Sequence, residues 1–490
     1  MAERRTNRQQ VEDARATTRR LYGAELESKS TDEFCLAVQR SRGEARGPRA
    51  SVGLETAGGG GAPGVAVASV VEFSPEDAAP VTPAGGISTG AERHRMVHET
   101  RTAAYQVLSP VYDEIERLSA TPLVPAMEVE GAPRLPTLVT QVCWLNRTVR
   151  TWAGPAVLAD VAADPAVTGV DVPRLLTADA ADTGPTAPAG TLNHRSILLP
   201  EFVRATSLTG KGVTVAVIDS EVALRHPALA GRVVHRRNYT AEPWGTPHSH
   251  GTAVAGIIGG ADVADGGIAP DVTLYNYKVL ASSRLLNGDS FSGAIAIQQA
   301  LEDGAQIANC SWGAGPVGPT KSREAIAAET AWALGMAVVK SAGNAGPNAR
   351  TMTTPADADG IVVVGATGLD GRKVPDYSSR GPAGANPGPH LVAPGGDDAG
   401  KIACVLVTGG FGDAGAGTSY AAPHVSGALA LLLEQDPTLT PDQLRDRLRS
   451  TARSVGRTAV AAQGAGLLQL VDPTERKPPR RRRSTGHTGS

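Results

Sequence analysis

Three short glycine-flanked segments each carry one side chain suited to acyl transfer: VTVAVID ends in Asp219, HSHGTAVAG carries His250, and GAGTSYAAPHVSG carries Ser419. A serine hydroxyl is a weak nucleophile until a base removes its proton, and a carboxylate is needed to orient that base. One Asp, one His and one Ser meet this need, and the chemistry they would support is attack by an activated serine on an acyl carbonyl. Each is ordinary when taken singly: a strand-end Asp caps a turn, a lone His packs structurally, and Gly-Thr-Ser makes a turn. The combination carries the reading.

Side chains with such roles must be held by rigid elements. VTVAVI is an apolar, β-branched run closed by Asp219, as expected of a buried parallel strand whose carboxyl end faces a site. His250 is followed by Gly-Thr and by small apolar residues that can enter a helix. Ser419 opens a long apolar helix, which puts its hydroxyl at the positive helix end. Over residues 196–472 further apolar runs (VTLYNYKVL, AQIANCSW, MAVVKSAG, GIVVVGA, IACVLVTG) alternate with helical segments. That alternation predicts an α/β fold, a mostly parallel sheet with helices on both faces. Ahead of it, Val107, Val111, Ile115 and Leu118 keep helical spacing after a start at Ser109-Pro110, and the strands LVTQVCWL and VTGVDV flank a short helix in GPAVLADVAAD. These predict a small α+β unit over 93–176. Residues 1–92 read as a disordered leader rich in Gly, Ala and Pro, 177–195 as a linker, and 473–490 as a basic disordered tail.

Composition narrows the function. The chain has 490 residues, 41% hydrophobic and 20% charged, with a formal charge of −2, so its body is no polyanion-binding surface and no nucleic-acid partner is expected. No apolar run approaches the roughly 18–20 residues that span a bilayer, so no membrane role is expected. The opening MAERRTNRQQVEDARATTRRLYG lacks the apolar segment of a secretory signal, which predicts a cytoplasmic protein unless export follows an unrecognised route. Cys35, Cys143, Cys310 and Cys404 form no C-x-x-C, which excludes a zinc ribbon and predicts buried thiols. His226, His248 and His424 read as structural or surface residues. The rival motif is GFGDAG, whose Gly410, Gly412 and Gly415 match a dinucleotide fingerprint, but no acidic strand end follows about 20 residues later.

Taken together, V-x-V-I-D, H-G-T-x-V-A-G and G-T-S-x-A-A-P-H-V-x-G resemble the subtilisin-like serine peptidases, the subtilases, in which the triad also runs Asp…His…Ser. The resemblance implies a serine endopeptidase acting on protein or peptide substrates as a monomer, with Asp219, His250 and Ser419 catalytic. AVVKSAGNAGPN resembles the family segment whose asparagine serves the oxyanion, which implies that role for Asn344 beside the Ser419 amide. ANCSWG is similar to the substrate-lining strand, so Ser311, Trp312 and Gly313 would pair with an extended peptide, while Ser341, Ala342 and Gly343 would line the side-chain pocket. Residues 93–176 are similar to an inhibitor-like, ferredoxin-like prodomain. That implies a zymogen whose prodomain is an intramolecular inhibitor, removed by cleavage between Pro173 and Pro200. Intracellular trimming of a leader from a ribosomally made peptide would suit such an enzyme.

No organic cofactor is required by this chemistry. Calcium sites of the family do not carry over, since Asp262 and Asp265 are the only acids in the compact loop after His250, although oxygen ligands could still bind calcium weakly. Three positions depart from the family pattern. Glu221 replaces a glycine, which predicts strain if φ is positive and a carboxylate that raises the basicity of His250. The alternative this leaves is a catalytically silent peptide-binding protein on the same fold. Ser249 and Tyr420 also depart, both expected at a cleft edge.

Overall fold

The computed structural model describes residues 7–41, 54–56, 65–73, 90–119, 141–153, 155–179, 192–261, 266–283, 287–413 and 415–471. Asp262, Asp265 and the tail 473–490 lie outside the described residues.

Buried β-branched runs make the central layer. Strands β7 (Thr214–Asp219), β8 (Val233–Asn238), β9 (Thr273–Lys278), β10 (Ile307–Cys310), β12 (Ala337–Ser341), β13 (Val362–Thr367) and β14 (Leu391–Pro394) form one seven-stranded sheet in the order β14-β13-β12-β10-β7-β9-β8. Every neighbouring pair is parallel. All six positions of β13 are buried, as they must be in a strand covered on both faces. The edge strand β8 instead shows partial burial in alternation and carries Arg236 and Arg237. Helices α8 (Ser249–Gly259) and α11 (Thr418–Gln435) pack together and on the sheet, as do α9 (Ser290–Glu302) and α10 (Arg323–Ala333). The expected α/β architecture is therefore present. Chain order reverses between β7 and β10, the place where open α/β sheets leave a crevice at their strand ends. Helices α6 (Leu192–Ser196) and α7 (Leu199–Thr206) enter this domain, and α12 (Pro441–Thr451) and α13 (Val460–Gln463) close it.

The N-terminal unit differs from the expected boundaries. Helices α1 (Asn7–Tyr22), α2 (Ala24–Lys29) and α3 (Asp32–Ser41) precede strands β1 (Leu54–Thr56) and β2 (Val65–Phe73), all inside the stretch predicted to be disordered. Strand β2 is the hub of a five-stranded sheet, pairing antiparallel with β1, β4 (Thr148–Ala153) and β5 (Val167–Asp171), while β3 (Gln141–Cys143) pairs with β4. The physical reason is local: VAVASVVEF is a short, valine-rich apolar run able to make a buried strand, but the surrounding Gly and Pro dominate any average over 43–90. Ala14, Leu26, Phe34, Cys35 and Val38 bury an apolar face and join the hydrophobic core. Helix α4 spans Gly90–Ser119, so Ser109-Pro110 lies within it rather than at its start, and α5 occupies Pro155–Ala162 as expected.

This unit docks on α9 and α10. Trp144 donates its backbone N–H to Gln298 (2.8 Å) and its indole N–H to Glu302 (2.7 Å). Arg323 reaches Glu72 on β2 at 2.9 Å and Asp171 on β5 at 3.6 Å, and Arg150 pairs with Asp289 while stacking 4.6 Å from the Phe291 ring. The predicted linker begins as a strand as well: β6 (Thr177–Ala178) pairs antiparallel with β11 (Trp312–Gly313).

Candidate active site

Asp219 closes β7 at its carboxyl end and is completely buried. Its Oδ1 accepts from His250 Nδ1 and from the Ser220 N–H, both at 2.7 Å. A carboxylate only accepts here, so Nδ1 carries the proton and Nε2 is the basic nitrogen. His250 sits in the first turn of α8, where the His248 side chain caps the helix by accepting from the His250 N–H at 3.2 Å. Gly251 follows because nothing larger fits: a Cβ there would lie 2.5 Å from the Ser220 carbonyl oxygen.

Ser419 lies in the first turn of α11, and its hydroxyl donates to the Ser311 carbonyl at 2.9 Å. Four residues on, Pro423 has no N–H to give the Ser419 carbonyl, so that oxygen lacks its helical partner. The Ser311 hydroxyl donates to it at 2.9 Å, tying the serine-bearing turn to the end of β10. Tyr420 is buried, and its ring lies 5.8 Å from that of His250.

Asn344 is held by the same turn. Its Oδ1 accepts from the Thr418 N–H (3.0 Å) and hydroxyl (2.9 Å), which turns Nδ2 the other way. Nδ2 donates to the Asp179 carbonyl oxygen at 2.5 Å, and the Ser419 N–H donates to the same oxygen at 3.1 Å. The Asp179 N–H in turn donates to the Ser311 carbonyl at 3.3 Å. The strand expected to meet a peptide backbone, Ser311 to Gly313, therefore meets residues 177–179 of this same chain.

The Asp179 side chain enters a polar pocket. Its Oδ2 accepts from Lys340 Nζ (2.8 Å), the Ser341 hydroxyl (2.7 Å) and the Thr353 hydroxyl (3.3 Å). Lys340 is fully buried, and Asp179 is the only carboxylate paired with it among the described residues. Beneath this cluster, burial pushes the Cys310 thiol up to about 12 against the pull of Lys340, so it stays protonated. Gly343 adopts φ +104°, and Ala342 is buried in the apolar core.

Asp179 and Lys340 escaped the sequence reading. The signal for Lys340 was available: a lysine inside the apolar run AVVKSAG must be buried, and a buried ammonium needs a partner. Asp179 offered none, since TADAAD reads as a linker.

Glu221 is neither strained nor aimed at the triad, which corrects the expectation for that position. It is not among the residues with positive φ. Its carboxylate accepts from the Gly245 and Thr246 N–H groups and pairs with buried Lys278 at 3.2 Å, and Glu242 meets the same ammonium at 2.8 Å. Although burial opposes it, hydrogen bonding to Lys278 and Ser282 draws the Glu242 carboxyl down to about 2. His226 caps a turn and reaches the Gly410 carbonyl at 2.8 Å, and His424 is fully buried between Asn193 and the Tyr420 carbonyl. Gly410 and Gly412 belong to the antiparallel hairpin of β15 (Ala403–Val405) and β16 (Phe411–Asp413), not to a phosphate-binding strand–helix turn. All four cysteines are buried free thiols. Among the described residues no cluster of His, Cys, Asp or Glu is arranged to hold a metal ion, and no helix is long and apolar enough to cross a membrane.

The chain is similar in sequence to proteins of one family. Residues 210–468 match the model of the subtilase family, Peptidase S8. Subtilisin DY of Bacillus licheniformis is 35% identical over 281 residues, covering 56% of this chain and 95% of the relative. Subtilisin E of Bacillus subtilis is 36% identical over 54% of this chain and 65% of its own length, and the serine protease AprX of the same organism is 32% identical over 51% and 63%. The solved structure of the prenylagaramide maturation protease PagA is 27% identical with a TM-score of 0.47, covering 56% of this chain and 95% of that one. The chain belongs to the subtilase family and is a subtilisin-like serine endopeptidase.

Proposed function

We propose that this endopeptidase works through Asp219, His250 and Ser419, and that it is made as a zymogen. Ser419 Oγ attacks the substrate carbonyl while His250 Nε2 takes its proton. Asp219 holds the imidazole in the required tautomer, and His250 then delivers the proton to the leaving amine. Water, activated by the same histidine, releases the acyl group. Asn344 Nδ2 and the Ser419 N–H receive the oxyanion, where fixed donors act on charge that develops only in the transition state.

The observation that carries this reading is the Asp179 carbonyl oxygen, which accepts from both donors at 2.5 and 3.1 Å. A carbonyl held there is in the position of a scissile one. The same observation supports the zymogen: β6 fills the strand site on β11, so the N-terminal unit is an inhibitor in cis. Since Glu221 is engaged with Lys278, the silent-binding alternative loses its motive. Reaction with a serine-directed organophosphonate tests the assignment. Peptide mapping is expected to find Ser419 modified in the wild type and nothing modified in His250→Ala; labelling of another serine in both would refute it.

A further inference from the structure

Lys340 raises a problem that the triad does not answer. A fully buried ammonium on a strand of the catalytic domain costs several kcal/mol unless it is paired. Lys278, the comparable residue on β9, has Glu221 and Glu242, both permanent parts of the domain. The carboxylate of Lys340 comes instead from Asp179, a residue of the segment lying in the cleft as substrate would. Ser341 and Thr353 point their hydroxyls at the same oxygen, so the pocket offers donors from three side chains to one carboxylate oxygen. Meanwhile the carbonyl of that same residue sits between Asn344 and Ser419. The residue whose carbonyl is attacked and the residue whose side chain fills the polar pocket are therefore one.

Resting on the proposed triad, we propose that this pocket makes the enzyme specific for aspartate at the position just before the cleaved bond, and that its first substrate is its own Asp179. In that step Ser419 Oγ bonds to the Asp179 carbonyl carbon and the C–N bond to Ala180 breaks. The hydroxyl proton passes through His250 to the new amine of Ala180. Water then gives Asp179 a free α-carboxylate and restores the serine. Once the N-terminal piece leaves, Lys340 lacks its counter-charge, and an incoming aspartate side chain supplies it. Asparagine brings no charge to the ammonium. Glutamate is one methylene too long, a difference worth roughly 10–200-fold in a fitted pocket. An apolar side chain brings no carboxylate, leaving Lys340 only the neutral oxygens of Ser341 and Thr353.

The test is kcat/KM of the full chain, purified and incubated until processing stops, on quenched fluorescent peptides that differ only in carrying Asp, Glu, Asn or Leu before the cleaved bond. Aspartate is expected to lead Asn and Leu by roughly 10²-fold or more, the scale of breaking a buried hydrogen-bonded charge pair. In Lys340→Met the ratio of Asp to Leu turnover should fall by at least the same factor. This ratio separates a pocket effect from poor folding, which lowers both substrates alike. A second variant, Asp179→Leu in the full chain, should lose cleavage after residue 179 in the wild-type background and regain it when combined with Lys340→Met. Preferred cleavage after Leu by the wild type, or an unchanged ratio in Lys340→Met, overturns the specificity while leaving the peptidase standing. Wild-type protein that cuts none of the peptides overturns the triad reading itself, and the specificity with it.

Discussion

At the scale of single residues the site depends on groups whose partners are fixed before any substrate arrives. Thr418 turns Asn344 so that only Nδ2 can meet an oxyanion. Asn344→Ala is therefore expected to lower kcat by roughly 10²–10³ with little change in KM, the range known for the corresponding donor in subtilisin. An equal loss in KM would mean that the amide serves ground-state binding instead. His424 illustrates a different residue-level consequence. Burial, with help from neighbouring His194, lowers its folded value to about 3, below the ordinary value near 6.5. The unfolded chain then takes up the proton first, so stability is full above about pH 6.5 and falls as pH drops towards about 3. At pH 5 this one group removes about 2 kcal/mol. Thermal melting of Ser419→Ala, which cannot digest itself, should show the decline between pH 7 and 5, and His424→Gln should flatten it by one proton.

His250, Ser419 and Asn344 were legible as candidates because a glycine or a helix start stands beside each, and Asp219 because it closes an apolar β-branched run; such punctuation survives in a bare sequence. Gly251 is the clearest case, since its missing Cβ is what lets α8 approach Ser220. Lys340 was legible only as an anomaly, a charge in an apolar strand, because its partner comes from a segment some 160 positions away.

Elements set the positions of these residues, and helix α11 shows how. Pro423 removes the donor that a helix would normally aim at the Ser419 carbonyl, and Ser311 replaces it from the neighbouring strand end. Ser311→Ala leaves that buried carbonyl without its donor, which is expected to cost about 1–3 kcal/mol. Because the substitution also loosens the turn carrying the proposed nucleophile, kcat should fall more than KM rises; unchanged melting and unchanged kcat together would show that the tie is idle. Strand order was readable only in part. Alternation of strands and helices gave the parallel sheet, but the antiparallel N-terminal sheet is knitted through β2, isolated in sequence between stretches rich in Gly and Pro. Composition averaged over such a stretch hides a nine-residue strand that only its long-range pairing stabilises.

On the scale of the whole molecule, two folded units share one cleft. The N-terminal sheet rests on α9 and α10, and the segment leaving it delivers Asp179 to the donors of the catalytic domain. Arg323 clamps two strands of that sheet at once. Arg323→Ala is expected to weaken retention of the cut N-terminal piece about fivefold, or about 1 kcal/mol for a mostly buried ion pair, and to shorten the lag before activity appears. Size-exclusion chromatography after cleavage reads the first effect and a progress curve the second; an unaltered lag would mean that release is limited elsewhere.

The most direct measurement is intact mass of the full-length protein and its Ser419→Ala form after the same incubation. The wild type is predicted to yield a piece ending at Asp179 and one beginning at Ala180, while Ser419→Ala stays whole. Both forms remaining whole, both being cut, or a wild-type cut at any other residue would contradict the account.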